Sequence, residues 1–218
     1  MQSRAAKRKH DTAGEVIPLP LFAEQLPGPT PPELDPVLDA TLECLARHGM
    51  SKTSLSDIAR ELGVAPSTVY RKVGSVENAA RLVFVRAGHR LMERMPDVIA
   101  GVTGPRVITV FMAECINTIR NNPMVEKILR DEVDWVGRVA TRQAQDSMTT
   151  SALGAAPFFQ AAMDAGHIRQ QDPVALGHWT SRIALACLLA PPPGDLLDAL
   201  DALLLPMLEP KKEKSSRA

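Results

Sequence analysis

The sequence predicts an all-α protein, and three observations support this prediction. Alanine and leucine are abundant among the 218 residues, and both lose little conformational freedom on entering a helix. Aromatic residues make up only 4% of the chain and β-branched residues occur in short runs, which disfavours a sheet. Apolar residues recur at spacings of three and four, the period of an amphipathic helix.

Glycine, proline and changes of composition divide the chain into helices, domains and tails. The predicted helices span residues 34–48, 54–62, 67–72, 76–95, 105–121, 123–140, 142–165, 173–190 and 195–208. The expected organisation is a basic, proline-rich tail at 1–32, one domain at 33–95, a second at 96–209 and a polar tail at 210–218.

The first two helices have clear start and stop signals. Asp35 is expected to cap the first helix, with Pro36 at its first helical position and Gly49 after its end. Ser54 and Asp57 form a short capping box at the start of the second helix. Each helix has one apolar face, formed by Leu34, Leu38, Leu42 and Leu45 in the first and by Leu55, Ile58, Ala59 and Leu62 in the second.

The next two helices follow closely. Ala65 and Pro66 restart a helix after Gly63, Gly74 ends it, and Ser75 caps the long fourth helix. Two short helices joined by a tight turn with a glycine have the layout of a helix-turn-helix unit. In such units the second helix enters the major groove of DNA.

The third helix combines two apolar anchors with a polar surface. Val69 and Val73 are its clearly apolar residues. Its remaining side chains can bond phosphates and base edges, namely Ser67, Thr68, Tyr70, Arg71 and Lys72. A purely structural helix does not need such a surface, so we predict double-stranded DNA as a partner. A helical adaptor that uses this unit for protein contacts is the alternative.

Residues Asp35–Ala80 resemble the DNA-binding domain of the TetR (tetracycline-repressor) family. The resemblance rests on the stretch TSLSDIARELGVAPSTVYRKV and on the capped helix behind it. It implies a helical homodimer with an inducer pocket in its C-terminal domain, and most often a repressor that a ligand releases. It also implies a capping and phosphate-binding role for Ser54, a base-reading position for Ser56 and a phosphate contact for Tyr70. The groove-facing positions that it implies are Thr68, Arg71 and Lys72.

Three positions depart from the family pattern. Ala65 stands where a serine cap is usual, Val73 where an aromatic residue is usual, and Val76 where a phosphate-binding lysine is usual. A basic cluster in the N-terminal tail could supply the missing charge by reaching the minor groove; it consists of Arg4, Lys7, Arg8, Lys9 and His10. A solvated tail is the alternative explanation of this cluster.

The second domain is expected to bind a ligand. Methionine and aromatic side chains on its central helices form the candidate pocket, namely Met112, Met124, Trp135, Met148, Phe158, Phe159 and Met163. Packing in the domain core is the alternative. No cluster of arginine or lysine lies on these segments, so we expect an apolar or amphipathic ligand.

The last two helices are expected to form a homodimer. Near 173–190 one apolar face consists of Leu176, Ile183, Ala184, Cys187 and Leu188. Near 195–208 the apolar residues are Leu196, Leu197, Leu200, Leu203, Leu204, Met207 and Leu208. These apolar residues cover more of the last helix than one core-facing stripe requires, which indicates a protein interface. A two-fold dimer would also suit a palindromic DNA site. The alternative is that these leucines fill the core of their own domain.

Other chemistry is not expected. Cys44, Cys115 and Cys187 are too far apart for a zinc site or a disulfide framework, so they are predicted to fill the core. No histidine spacing or catalytic motif indicates a metal, a cofactor or an enzyme, and a solvated helix face explains the acids at 131, 132 and 134. No apolar run has the ~18 residues that span a bilayer, so a cytoplasmic location is expected.

Overall fold

The computed structural model describes residues 28–142 and 144–210. These residues form ten α-helices and no strand, so the predicted all-α class is confirmed. The basic cluster at 4–10 lies outside the described residues. The helices are α1 Asp35–His48, α2 Leu55–Leu62, α3 Pro66–Val73, α4 Val76–Val98, α5 Arg106–Arg120, α6 Pro123–Asp131, α7 Val133–Arg142, α8 Ala144–Asp164, α9 Pro173–Leu189 and α10 Leu196–Leu208.

The start of α1 differs from the prediction. Leu34 precedes the helix without a side-chain cap, and Asp35 is its first helical residue. The Asp35 carboxylate instead accepts a hydrogen bond from Arg86 of α4 at 2.9 Å. Arg86 also pairs with Asp39 at 2.7 Å while being only 6% exposed. The ion pairs therefore fasten α1 to α4, and the cap expected at Asp35 is wrong.

The helices that follow α1 agree closely with their local signals. The capping box of α2 is confirmed: the Ser54 hydroxyl accepts from the Asp57 amide, and the Asp57 carboxylate accepts from the Ser54 amide. Ser75 caps α4 by accepting from the Asn78 amide. The fourth helix was expected to end at 95 but continues to 98, because a proline in its last turn removes only one donor while the Ile99 amide still bonds the Met95 carbonyl at 3.0 Å.

The segment predicted as one helix at 123–140 consists of two helices. Glu132 separates α6 from α7 with φ −124° and ψ 50°, outside the helical region. Neither proline nor glycine marks this break, so the local sequence does not signal it. The Glu132 side chain contacts the turn between α1 and α2, and this tertiary contact accompanies the break.

The C-terminal domain has a single core between α4, α5, α8, α9 and α10. Leu176, Ala184 and Leu188 of α9 are buried in it, as are Leu200 and Leu204 of α10. The face of α9 that was expected to bind a second subunit therefore packs mainly inside the domain. For these residues the alternative explanation, that they fill the core of their own domain, is correct.

The two domains share a second apolar core. It contains Leu38 and Leu45 of α1, Phe84 of α4, and Met124 and Ile128 of α6. All five are less than a tenth exposed. Burial of apolar surface is the dominant favourable term in folding, so this interdomain core holds the helix-turn-helix unit on the C-terminal domain.

Candidate DNA interface and ligand cleft

The third helix buries its two anchors and exposes its polar side chains. Val69 is 0% exposed and Val73 is 2% exposed, and both pack against α1, α2 and α4. Tyr70 is 64% exposed, Thr68 is half-buried, and the remaining predicted DNA-binding residues of this helix are exposed, namely Ser67, Arg71 and Lys72. A short helix held by two valines therefore presents hydroxyls and cations to solvent, as a recognition helix requires.

A hydrogen-bonded network holds the C-terminal end of α3 against α4. The Asn78 side-chain amide donates to the Val73 carbonyl at 2.8 Å. Asn78 in turn accepts from the Arg81 guanidinium at 2.8 and 3.1 Å. Orphan carbonyls at a helix end need such partners. The sequence pattern did not single out Asn78, although an asparagine three residues after the Ser75 cap is a detectable local signal.

Arg71 and Lys72 have different surroundings. The Lys72 ammonium donates to the Glu33 carbonyl at 3.0 Å and thereby joins α3 to the segment that leads into α1. Among the described residues, Arg71 has no partner in a hydrogen bond or ion pair. Arg71 is therefore available for a bidentate contact with a guanine edge, whereas Lys72 would have to give up a bond to make one.

The predicted DNA-binding residues near the start of α2 also differ. Ser56 is exposed, so its hydroxyl is accessible. The Ser54 hydroxyl is occupied, because it donates to the Asp57 carboxylate at 2.6 Å and accepts from the Asp57 amide at 3.2 Å. The Ser54 hydroxyl and amide both donate to the Asp57 carboxylate, and these two bonds hold the pKa of Asp57 below its ordinary value. The structure thus shows the capping role of Ser54 directly.

The seven candidate ligand-binding residues lie in different places. Met112, Phe159 and Met163 are buried in the C-terminal core, and Phe158 packs against it. Two others, Met124 and Trp135, belong to the interdomain core and its border. The remaining residue of the set, at 148 on α8, is half-buried. The structure therefore brings four of the seven together around the C-terminal core.

A shallow apolar cleft of about 210 Å³ opens beside this group. Phe158 forms one wall and stacks on Phe111 with ring centroids 5.5 Å apart. The other residues that line this cleft come from the turn before α5, the start of α5, the end of α8 and the loop that follows α8: Gly104, Val107, Ile108, Ala161, Ala162, His167 and Ile168. Apolar side chains predominate, so this cleft suits a hydrocarbon group.

A second cleft, of about 440 Å³, lies between the two domains. Its lining is mixed in charge and includes Lys52 and Lys127, the acids at 131, 132 and 134, and Trp135. Lys127 is already paired with Asp131 at 2.6 Å. This interdomain cleft is the larger of the two, but its lining does not match the apolar ligand that the sequence predicts.

Within residues 28–142 and 144–210, no group of three or more His, Cys, Asp or Glu side chains could hold a metal ion. Over the same ranges, no helix is both long enough and apolar enough to cross a membrane.

Comparisons with known proteins agree with the helix-turn-helix geometry. Residues 37–75 match the family model described as bacterial regulatory proteins of the tetR family. This match covers α1 from its third residue, all of α2 and α3, and the cap of α4. No curated protein matches the sequence.

The whole fold is similar to that of solved regulators. A tetR-family transcriptional regulator from Pectobacterium atrosepticum is 15% identical with a TM-score of 0.59, over 79% of this chain and 92% of that chain. The tetR-family repressor AlkX of a Dietzia strain is 18% identical with a TM-score of 0.54, over 81% of this chain and 93% of AlkX. The fatty acid degradation regulator FadR of Bacillus halodurans is 14% identical with a TM-score of 0.55, over 79% and 93%. Residues 37–75 thus match the tetR-family model, and the all-α fold of this chain is similar to that of solved tetR-family regulators.

Proposed function

We propose that this protein is a sequence-specific transcriptional repressor that binds a palindromic DNA site as a homodimer and is released by a small apolar or amphipathic ligand. The observation that carries the proposal is the exposed polar surface of α3 above its two buried valines. Polar and basic side chains on such a helix can contact phosphates and base edges at once.

Arg71 tests the DNA-binding part of the proposal. Arg71→Ala should weaken binding to the duplex upstream of the protein's own gene by about 1–3 kcal/mol, because it removes one base contact. Fluorescence anisotropy at several salt concentrations measures this change. Arg90→Ala is the matched control: Arg90 is also exposed but lies about 21 Å along α4 from Val76, at 1.5 Å per residue.

The outcome separates a regulator from an adaptor. Equal binding of wild type, Arg71→Ala and Arg90→Ala would mean that α3 does not read the duplex. Binding that ignores the sequence and disappears at moderate salt would indicate non-specific phosphate contacts, and the adaptor would then be the better explanation.

The ligand part of the proposal rests on the apolar cleft beside Phe158. Its volume of about 210 Å³ is below the roughly 300–1,000 Å³ of pockets for drug-sized ligands, so a short hydrocarbon chain fits it best. By their names, two of the structural relatives are an AlkX repressor implicated in biodegradation of n-alkanes and a fatty acid degradation regulator. At 18% and 14% identity that likeness extends to the fold alone, so the ligand class rests on the lining of the cleft.

A thermal-shift panel tests the ligand. Short alkanoic acids should raise the unfolding temperature, since a compound that binds only the native state stabilises it by mass action. Phe158→Ala should remove this shift, whereas Gln160→Ala, an exposed position on the same helix, should keep it. Stabilisation by phosphorylated metabolites alone would contradict an apolar site.

The proposed dimer uses the outer faces of α9 and α10. Trp179 is 62% exposed, Leu189 45%, Leu203 51% and Met207 39%. Large exposed apolar side chains on each of these two helices suit a protein interface. A two-fold dimer would cover both copies of this surface with one self-complementary contact. Arg182 lies on the outer side of α9 and donates to the His178 carbonyl of its own helix at 2.9 Å.

A further inference from the structure

Glu132 joins the C-terminal domain to the turn between α1 and α2. Its carboxylate accepts from the Ser51 amide at 3.2 Å to each oxygen and from the Ser51 hydroxyl at 2.7 Å. Glu132 is half-buried and lies at the break between α6 and α7. A charged acceptor that receives two donors of one residue fixes both the position and the orientation of the turn. The sequence does not predict this contact, because a solvated helix face is the expected role of the acids at 131, 132 and 134.

The shape of the turn also fits Glu132. A Cβ atom at position 49 would overlap the Glu132 carboxylate in its present position, so glycine leaves room for the carboxylate where it bonds Ser51. Gly49 additionally has φ +78°, which side-chain-bearing residues rarely adopt. Steric fit and hydrogen bonding therefore specify the same contact.

The domains are also joined by α4, which packs in both cores, by an ion pair between Arg94 and Glu114 at 3.3 Å, and by the interdomain core. The interdomain core includes Leu38 and Leu45 of α1 against Met124 and Ile128 of α6. The hydrophobic term itself is non-directional, so the angle of the helix-turn-helix unit depends on side-chain packing, on α4 and on polar contacts between the domains. The interdomain cleft of about 440 Å³ leaves open space between the domains next to Glu132. The hydrogen bonds of Glu132 are directional and oppose rotation at this point.

We infer that Glu132 is a positioning residue for DNA binding: its bonds to Ser51 hold the helix-turn-helix unit at the angle in which the dimer binds DNA. This inference rests on the proposed function. The two recognition helices of a dimer must fit two half-sites at once. Any rotation of the helix-turn-helix unit relative to the C-terminal domain that is free before binding must therefore be lost on binding. Breaking the contact raises this entropic cost and lowers the affinity for DNA.

The first test compares DNA affinities of full-length variants. Glu132→Ala should weaken binding to the upstream duplex about three- to tenfold, the scale of a partly solvated hydrogen bond to a charged group. Ser51→Ala should have a smaller effect, because the Ser51 amide still donates. The double variant should bind like Glu132→Ala alone, since both changes remove the same contact. Glu126→Ala is the matched control: Glu126 is an acid of α6 whose partner is Arg130.

The second test needs no DNA. Hydrogen exchange of the free protein should show faster exchange at the amides of 49–53 in Glu132→Ala and unchanged exchange within α3 and α6. Glu132→Gln, which keeps one acceptor oxygen and the side-chain shape, should restore part of the protection. A change spread over the whole helix-turn-helix unit would mean a structural role, and would overturn the positioning role.

The outcomes distinguish this inference from the proposed function. If wild type binds no specific duplex, the proposed function fails, while the exchange experiment still tests the contact. If wild type binds and Glu132→Ala binds equally well, the positioning role is wrong although the DNA-binding function stands. If Glu132→Ala does not fold, Glu132→Gln and Ser51→Ala decide the question by the same two measurements.

Discussion

Replacing Leu203 and Met207 by glutamate should dissociate the dimer without unfolding the subunit. Both residues lie on the outer side of α10, where Leu203 is 51% exposed and Met207 is 39% exposed. Leu200 and Leu204 on the inner side are each 1% exposed. Glutamate at the inner pair would place charge in the core and unfold the domain, so only the outer pair tests the interface.

The expected magnitude follows from the exposed fractions. Complete burial of a leucine or methionine side chain contributes roughly 1.5–3 kcal/mol, and about half of that remains available at Leu203 and Met207. Replacing two such residues in each of two subunits should weaken the free energy of dimerisation by about 3–6 kcal/mol in total. At 1.4 kcal/mol for each factor of ten, the dimer should dissociate about a hundred- to ten-thousandfold more readily.

Sedimentation equilibrium at micromolar concentration measures this change, and circular dichroism verifies the helical content. Val133→Glu is the control, because Val133 is 69% exposed and lies at the start of α7, away from α9 and α10. Wild type and Val133→Glu should be dimers, and the double variant a folded monomer. A double variant that remains a dimer would place the interface elsewhere, and a monomeric wild type would refute the dimer itself.

Three further predictions concern stability and reactivity. Gly177→Ala should lower the free energy of unfolding by about 1–3 kcal/mol, because the added Cβ atom would lie 2.7 Å from the backbone of α8. Urea titration measures this change, and an unchanged midpoint would refute the close packing of α8 and α9. The pKa of Asp57 is lower in the folded protein than its ordinary value of 3.8. Its bonds with Ser54 therefore stabilise the fold fully at pH values above 3.8, and this stabilisation is lost as the pH falls through the folded pKa. Wild type should therefore be more stable than Ser54→Ala at neutral pH, and the difference should shrink in acid; a constant difference in thermal unfolding would contradict this. Burial raises the pKa of the Cys115 thiol to about 12. At pH 8, iodoacetamide should therefore label the half-buried Cys187 before Cys115, as followed by mass spectrometry. Labelling of Cys115 before Cys187 would contradict the burial of Cys115.

The helix-turn-helix half of the fold could be predicted because its signals are local. A capping box at Ser54, glycine stops at Gly49 and Gly63 and a serine cap at Ser75 determine helix ends within a few residues of sequence. The exposed surface of α3 follows in the same way from two valines at a spacing of four. Asp35 is the exception, since a partner 51 residues away in α4 competes for its carboxylate.

The C-terminal half was less predictable because its decisive contacts are distant in sequence. Periodicity shows that Leu200 and Leu203 are both apolar, but not which of them faces the core. The break at Glu132 is accompanied by a contact with Ser51, 81 residues earlier, and neither proline nor glycine signals it locally. Methionine and aromatic content likewise predicts burial, but it does not separate residues of the apolar cleft from residues of the interdomain core.

Selection of bound duplexes from a random pool tests the central claim, that α3 reads a palindromic site, most directly. Wild type should enrich two inverted half-sites whose centres are about one helical turn, or a multiple of it, apart. Arg71→Ala should lose the preference at one base pair in each half-site and keep the preferences elsewhere. Enrichment of no sequence by wild type, or an identical preference in Arg71→Ala, would contradict the assignment of α3 as the recognition helix.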